Sequence, residues 1–113
     1  MLNLLVLRSP DPAAITAFYQ LFLPPFDHHQ HGSGPMHHSV ELEGLVFGIY
    51  PLLKNQTQAD HSTRLGFRIK DLDATLIMIQ QAGHDILVQA YQSEWGYRAV
   101  VQGPDGRKVE LLT

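Results

Sequence analysis

The feature that most constrains this chain is that it repeats itself. At an offset of 60 residues, Leu5 falls on Leu65, Arg8 on Arg68, Asp11 on Asp71, Ala14 on Ala74 and Gln20 on Gln80. Five identities over about twenty positions carry little alone, but the order of local structural signals agrees with them. Leu2 to Arg8 is rich in leucine and valine and breaks at Ser9-Pro10-Asp11-Pro12, where Asp11 can cap a helix and Pro12 fits its first position. Ile15, Phe18, Leu21 and Phe22, with Ala14 and Ala17 beside them, form one helical face that Pro24-Pro25 must end. Phe26 to His31, Met36 to Leu42 and Leu45 to Tyr50 read as strands around the turns Gly32-Ser33-Gly34-Pro35 and Glu43-Gly44.

The same order then returns. Thr63 to Ile69 reads as a strand and Asp71 as a cap; Leu72, Leu76 and Ile79 line a helix that runs to Ala82 and stops at Gly83. Strands follow near Ile86 to Gln89, Tyr97 to Gln102 and Lys108 to Leu112, the last two joined by a Pro104-Asp105-Gly106 turn. The expectation is an α+β fold of two βαβββ modules in one domain, 1–113, with module 1 at 1–51, a polar linker at 52–62 and module 2 at 63–113. Each helix should lie on one face of a mostly antiparallel sheet, leaving the other face free to line a cavity.

A chain of 113 residues, 44% hydrophobic and 17% charged, can bury a core unaided. Without cysteine it has no disulfide, zinc-thiolate site or cysteine nucleophile. A net charge of −3 with no basic block leaves no footprint for nucleic acid, and no apolar run is long enough to span a membrane. A cytoplasmic protein with a small-molecule or protein partner is expected.

Several segments in their order resemble the vicinal oxygen chelate superfamily, the glyoxalase, bleomycin resistance protein and extradiol dioxygenase group. They are the Ser9-Pro10-Asp11 cap with Ala17-Phe18-Tyr19, Gly44 to Pro51, Leu65 to Ala74, Trp95-Gly96-Tyr97-Arg98, and Pro104 to Leu111. The resemblance covers almost the whole chain and implies paired modules whose sheets form a cup, with metal ligands on the first and last strands in metal-dependent members. Those positions fall here on Leu4, Gly48, Arg64 and Glu110, of which only Glu110 can bind a metal, so the usual metal site is expected to be absent. No cofactor is expected, a divalent metal being the lesser alternative. The resemblance also implies a homodimer, and Leu2, Leu4 and Val6 offer an apolar stripe for one.

With Leu4 and Arg64 facing the cup, alternation adds Val6, Arg8, Gly66 and Arg68, opposed by Glu110 and Lys108. Arginines with carboxylate-matching forks suit an anionic organic ligand, whereas an Arg64–Glu110 pair would merely fill the space of a lost metal. Tyr50, Tyr91, Trp95 and Tyr97 stand near strand ends, where aromatic side chains would grip a flat ligand or cover an interface. Five histidines lie between His28 and His38. A tight turn at 32–35 would gather His29, His31 and His38, either as ligands for zinc, nickel or copper or as ordinary rim residues. His37, on the opposite parity, is expected to see the cup. The leading functional reading is a glyoxalase-like domain that binds a small anionic or aromatic molecule without the usual metal. The alternatives are a divergent lyase, isomerase or dioxygenase-like enzyme using Glu110 and His37 as catalytic base and acid, and a protein-interaction module.

Overall fold

The computed structural model describes all residues from 1 to 113. The chain forms two compact units, Met1–Asp60 and His61–Thr113. The first contains β1 (Leu4–Ser9), α1 (Pro12–Tyr19), β2 (Asp27–His29), β3 (His37–Leu42) and β4 (Leu45–Pro51). The second contains β5 (Leu65–Arg68), α2 (Leu72–Gln81), β6 (Asp85–Ser93), β7 (Gly96–Gln102) and β8 (Lys108–Leu112). Each unit is βαβββ, with sheet orders β1-β4-β3-β2 and β5-β8-β7-β6. In both, the first and last strands pair in parallel and the remaining neighbours pair antiparallel.

The helices start where the caps predict. Asp11 accepts a 3.1 Å hydrogen bond from the Ala14 amide, and Asp71 accepts one of the same length from Ala74. α2 ends as Gly83 takes a positive φ of 90°, with the amides of Gly83 and His84 donating to the carbonyls of Gln80 and Ile79. Those paired bonds satisfy the last turn, and glycine permits the left-handed residue they require. α1 stops short of the expected Pro24-Pro25 boundary. After Tyr19 the chain tightens into turns, with Leu21 and Phe22 donating to Phe18 and Tyr19, while Gln20 Oε1 receives the Phe26 amide at 2.7 Å. Phe18, Tyr19 and Phe22 meet edge to face there, and Tyr19 packs against Phe47 of β4 at a ring separation of 5.0 Å.

The core of the first unit includes Leu7, Ile15, Phe18, Tyr19, Phe47 and Ile49, and that of the second Leu72, Leu76, Ile79, Val101, Val109 and Leu111. Strand alternation then sends Leu4, Val6, Gly48 and Glu110 to the opposite, open faces. Two strand expectations are corrected. β6 runs over nine residues, Asp85 to Ser93, instead of ending at Gln89, because two register irregularities let the edge strand continue along β7. Leu65 rather than Thr63 begins β5; the carbonyl of Thr63 instead receives Arg107 Nη1 at 3.0 Å.

That arginine has only 1% of its side chain exposed, and its Nε stands 3.7 Å from Asp105 Oδ2 in the terminal turn. The Asp105 Oδ1 also receives the Arg107 amide. A buried charge with this surround ties the Gly103–Gly106 turn to the start of β5. Arg107→Ala is expected to cost about 3–5 kcal/mol, because it strands the Asp105 carboxylate. Urea unfolding followed by circular dichroism checks this, with exposed Lys54→Ala expected to stay within about 0.5 kcal/mol of the parent.

Candidate functional site

In the second unit, the side chains on the open face converge on Glu110. Its Oε1 accepts from Arg64 Nη1 at 3.1 Å and lies 2.7 Å from Arg98 Nη2. Arg98 also donates to the Tyr91 hydroxyl across the β6–β7 ladder. That bond first, and Glu110 after it, raise the Arg98 pKa against the opposing effect of desolvation. Beside this network is a cavity of about 470 Å³ lined by Gly66, Phe67, Arg68, Trp95, Arg98, Glu110 and Leu112. Arg68 makes no side-chain hydrogen bond or ion pair there, so three guanidiniums and one carboxylate leave the face with surplus positive charge. Trp95 is 71% exposed at the β6–β7 turn.

Arg64, Arg68, Trp95 and Glu110 are thus on one unit, as their strands predict. Arg98 was not singled out from sequence, although it shares the parity of Val100, whose register partner is Glu110. Tyr97 does not join them, which corrects its placement at the cavity rim. It shares the inward parity of Ala99 and Val101, and its hydroxyl donates to Asp73 of α2 at 2.8 Å, the main cause of its raised pKa.

The first unit carries Arg8, Tyr50 and His37. Arg8 Nη1 donates to the Pro51 carbonyl at 3.1 Å, and its guanidinium carbon stands 5.1 Å from the Tyr50 ring centre. His37 stacks on Tyr50 with ring centres 4.2 Å apart and planes within 6°. Both line a cavity of about 240 Å³ with Leu4, His29, His31, Ser39, Val46 and Gly48. His29, His31 and His37 therefore gather on the open face, and the expected trio of His29, His31 and His38 is corrected. His29 pairs with His37 and His28 with His38, one residue out of the expected register. The cause is a wide connection over residues 30–36 in place of a tight four-residue hairpin. His38 is buried on the α1 side, its ring 4.4 Å from that of His28.

The metal positions implied by the resemblance do not suit a metal. In register, β1 Val6 faces β4 Gly48 and β5 Gly66 faces β8 Glu110, so Gly48 and Glu110 are equivalent across the two units. Leu4 and Gly48 have no donor side chain, and the Glu110 carboxylate is engaged by two arginines. A Cβ on Gly48 would stand 3.0 Å from Tyr50 Cε1, so the tyrosine ring occupies the space a ligand side chain would need to enter.

Comparison with known structures settles the architecture. An antibiotic binding protein, TnmS3 from Streptomyces sp. CB03234, aligns over 99% of this chain and 93% of its own at a TM-score of 0.72 and 23% identity. A glyoxalase/bleomycin resistance protein/dioxygenase family enzyme from Burkholderia phytofirmans PsJN aligns over 96% and 94% at 0.75 and 16% identity. The corresponding domain from Frankia sp. EAN1pec aligns over 98% and 94% at 0.74 and 15% identity. The chain has the vicinal oxygen chelate fold. No protein-family profile and no curated protein matches its sequence. No helix is long and apolar enough to cross a membrane.

Within this vicinal oxygen chelate fold, the pKa of the His38 side chain is lowered. Burial first, then the neighbouring His28 and His37, lower it from the ordinary 6.5. The folded chain therefore binds this proton less readily than the unfolded one. The resulting stability is complete above the unfolded value, falls as pH drops through it, and stops falling below the lowered folded value. Chemical unfolding between about pH 7 and pH 5 is expected to show decreasing stability. His38→Phe is expected to flatten that slope, and it also removes a buried Nδ1 that has no hydrogen-bond partner.

Proposed function

We propose that this chain binds a small aromatic anion on the open face of its second unit and does so without a metal. The observation that carries this reading is the charge arrangement around Glu110. Arg64 and Arg98 share that carboxylate, while Arg68 keeps an uncommitted guanidinium in the same cavity as Trp95. A guanidinium fork suits a carboxylate or phosphate, and an indole supplies a flat apolar surface for a ring. A cavity of about 470 Å³ falls within the size range of small-molecule sites. An antibiotic binding protein of the same fold supports ligand capture as a use for such a face. The enzymatic alternative needs Glu110 as a free base, whereas the carboxylate is held by two ion pairs.

Trp95 is the sole tryptophan, so its fluorescence reports on this cavity directly. Titration with aromatic carboxylates and aryl phosphates is expected to give a saturable change that their neutral amides do not. Arg68→Ala is expected to weaken binding about 10–100-fold through loss of a charge-assisted contact. Equal affinity for neutral and anionic aromatics, or indifference to Arg68→Ala, would refute this reading.

We also propose a homodimer in the cytoplasm. Leu2, Leu4 and Val46 expose apolar area on the first unit, with Leu4 and Val46 adjacent in register. Light scattering is expected to return twice the chain mass of 12.7 kDa. Leu4→Asp should shift it toward the single-chain value; a parent already at that value would overturn the dimer.

A further inference from the structure

Gly66 of β5 has neither a backbone nor a packing reason to be glycine. Its φ is not positive, unlike that of Gly96 at 127°. A Cβ placed on it would meet only Glu110, at 3.8 Å from that residue's Cβ and 4.0 Å from its carbonyl oxygen, which is ordinary contact. At Gly96 the same atom would press to 3.1 Å on the Thr113 carbonyl. Glycine inside a strand is destabilising, and where no bulge or bend requires it, it marks a place where another group approaches the backbone closely. Gly66 pairs regularly with β8 and lines the cavity of about 470 Å³ that holds Arg68, Trp95 and Glu110. Its missing side chain leaves the floor of that cavity open.

The register says what a ring lying on that floor would meet. Glu110 is the β8 partner of Gly66, about 4.8 Å away across the sheet, and Arg68 is two residues further along β5 on the same face, about 6.6 Å away. The two directions are roughly at right angles, which suits substituents ortho or meta to one another on one ring. Arg68 supplies a guanidinium for an anionic group. Glu110 offers something different. Arg64 and Arg98 both meet its Oε1, and its Oε2 accepts no hydrogen bond within the chain. A carboxylate can only accept, and a ligand that displaces its water without returning a donor leaves it unsatisfied.

We propose that Gly66 is the seat of the ligand ring and that Glu110 beside it selects aromatic acids that also carry a hydroxyl or amino group. This rests on the reading of the second unit's open face as an aromatic-anion site, and it narrows the class of ligand. Arg68 takes the acid group, Gly66 admits the ring to the strand surface, and Glu110 accepts from the hydroxyl or amine. Arg64 and Arg98 hold Glu110 in place as positioning residues.

The test is an NMR titration of the full chain that follows the Gly66 amide and the Trp95 indole, with benzoate, meta-hydroxybenzoate, its methyl ether and the neutral meta-hydroxybenzamide. The hydroxy acid is expected to bind about 10-fold more tightly than its ether, which cannot donate. Gly66→Val places a strand-favouring side chain on the floor; it should melt no lower than the parent and bind the hydroxy acid about 10-fold or more weakly. Glu110→Gln offers a donor as well as an acceptor, so it should bring the hydroxy acid and its ether to similar affinity, whereas a merely structural Glu110 would weaken both alike. Equal affinity of the parent for hydroxy acid and ether, or undiminished binding by Gly66→Val, overturns this inference and leaves the aromatic-anion site standing. A Gly66→Val chain that fails to fold would give the glycine a structural reason and overturn the seat. If benzoate binds no better than the neutral amide, the aromatic-anion reading itself falls and this inference with it.

Discussion

The parallel pairing of the first and last strands governs everything else in each unit. β1 cannot lie parallel beside β4, nor β5 beside β8, unless the chain crosses back between them, and the helix provides part of that crossing. The helix then covers one face of its sheet, and Leu7, Phe47 and Ile49, or Val109 and Leu111, are drawn to it. Period-2 alternation leaves the intervening side chains no choice but the opposite face. Chemistry is therefore confined to alternate residues of the strands: Val6 and Gly48 in one unit, Gly66 and Glu110 in the other.

This logic explains why much of the fold was legible in the sequence. Asp11 with Pro12, and Asp71 with Gly83, mark helix ends through local hydrogen bonding that needs no tertiary information. Glu110 between two aliphatics declares its face by parity alone. The errors arose where a local rule met a choice only tertiary structure could make. The histidine register depended on the width of the connection between β2 and β3, and a one-residue slip moves every side chain to the other face. Tyr97 looked like a rim aromatic because it is near a strand end, yet its parity with Ala99 commits it to the helix side and to Asp73. Arg98 was overlooked because its importance lies in the register of β7 against β8, which adjacent residues do not announce.

The two units of like topology differ most where packing constrains least. Inward positions of both units are mostly aliphatic or aromatic, with Ser9, Thr16 and His38 as polar exceptions in the first unit, as a densely packed core requires. The open faces share strand geometry and almost nothing else. One gathers three guanidiniums around a carboxylate, and the other gathers imidazoles against a tyrosine. Two chemically distinct surfaces thus come from one repeated topology, as expected when a fold constrains the backbone and leaves the site to side chains.

The equivalent positions Gly48 and Glu110 show how space and charge are settled on each open face. An isolated carboxylate among apolar strand residues is unfavourable, and Arg64 and Arg98 compensate it at 3.1 and 2.7 Å. On the other unit the side chain is simply missing, and the Tyr50 ring moves to within 3.0 Å of where a Cβ would be. Compensating Glu110 takes two arginines and leaves Arg68 available; seating Tyr50 over Gly48 gives His37 a flat surface to stack on. What each face presents follows from how the space and charge at these two positions are resolved.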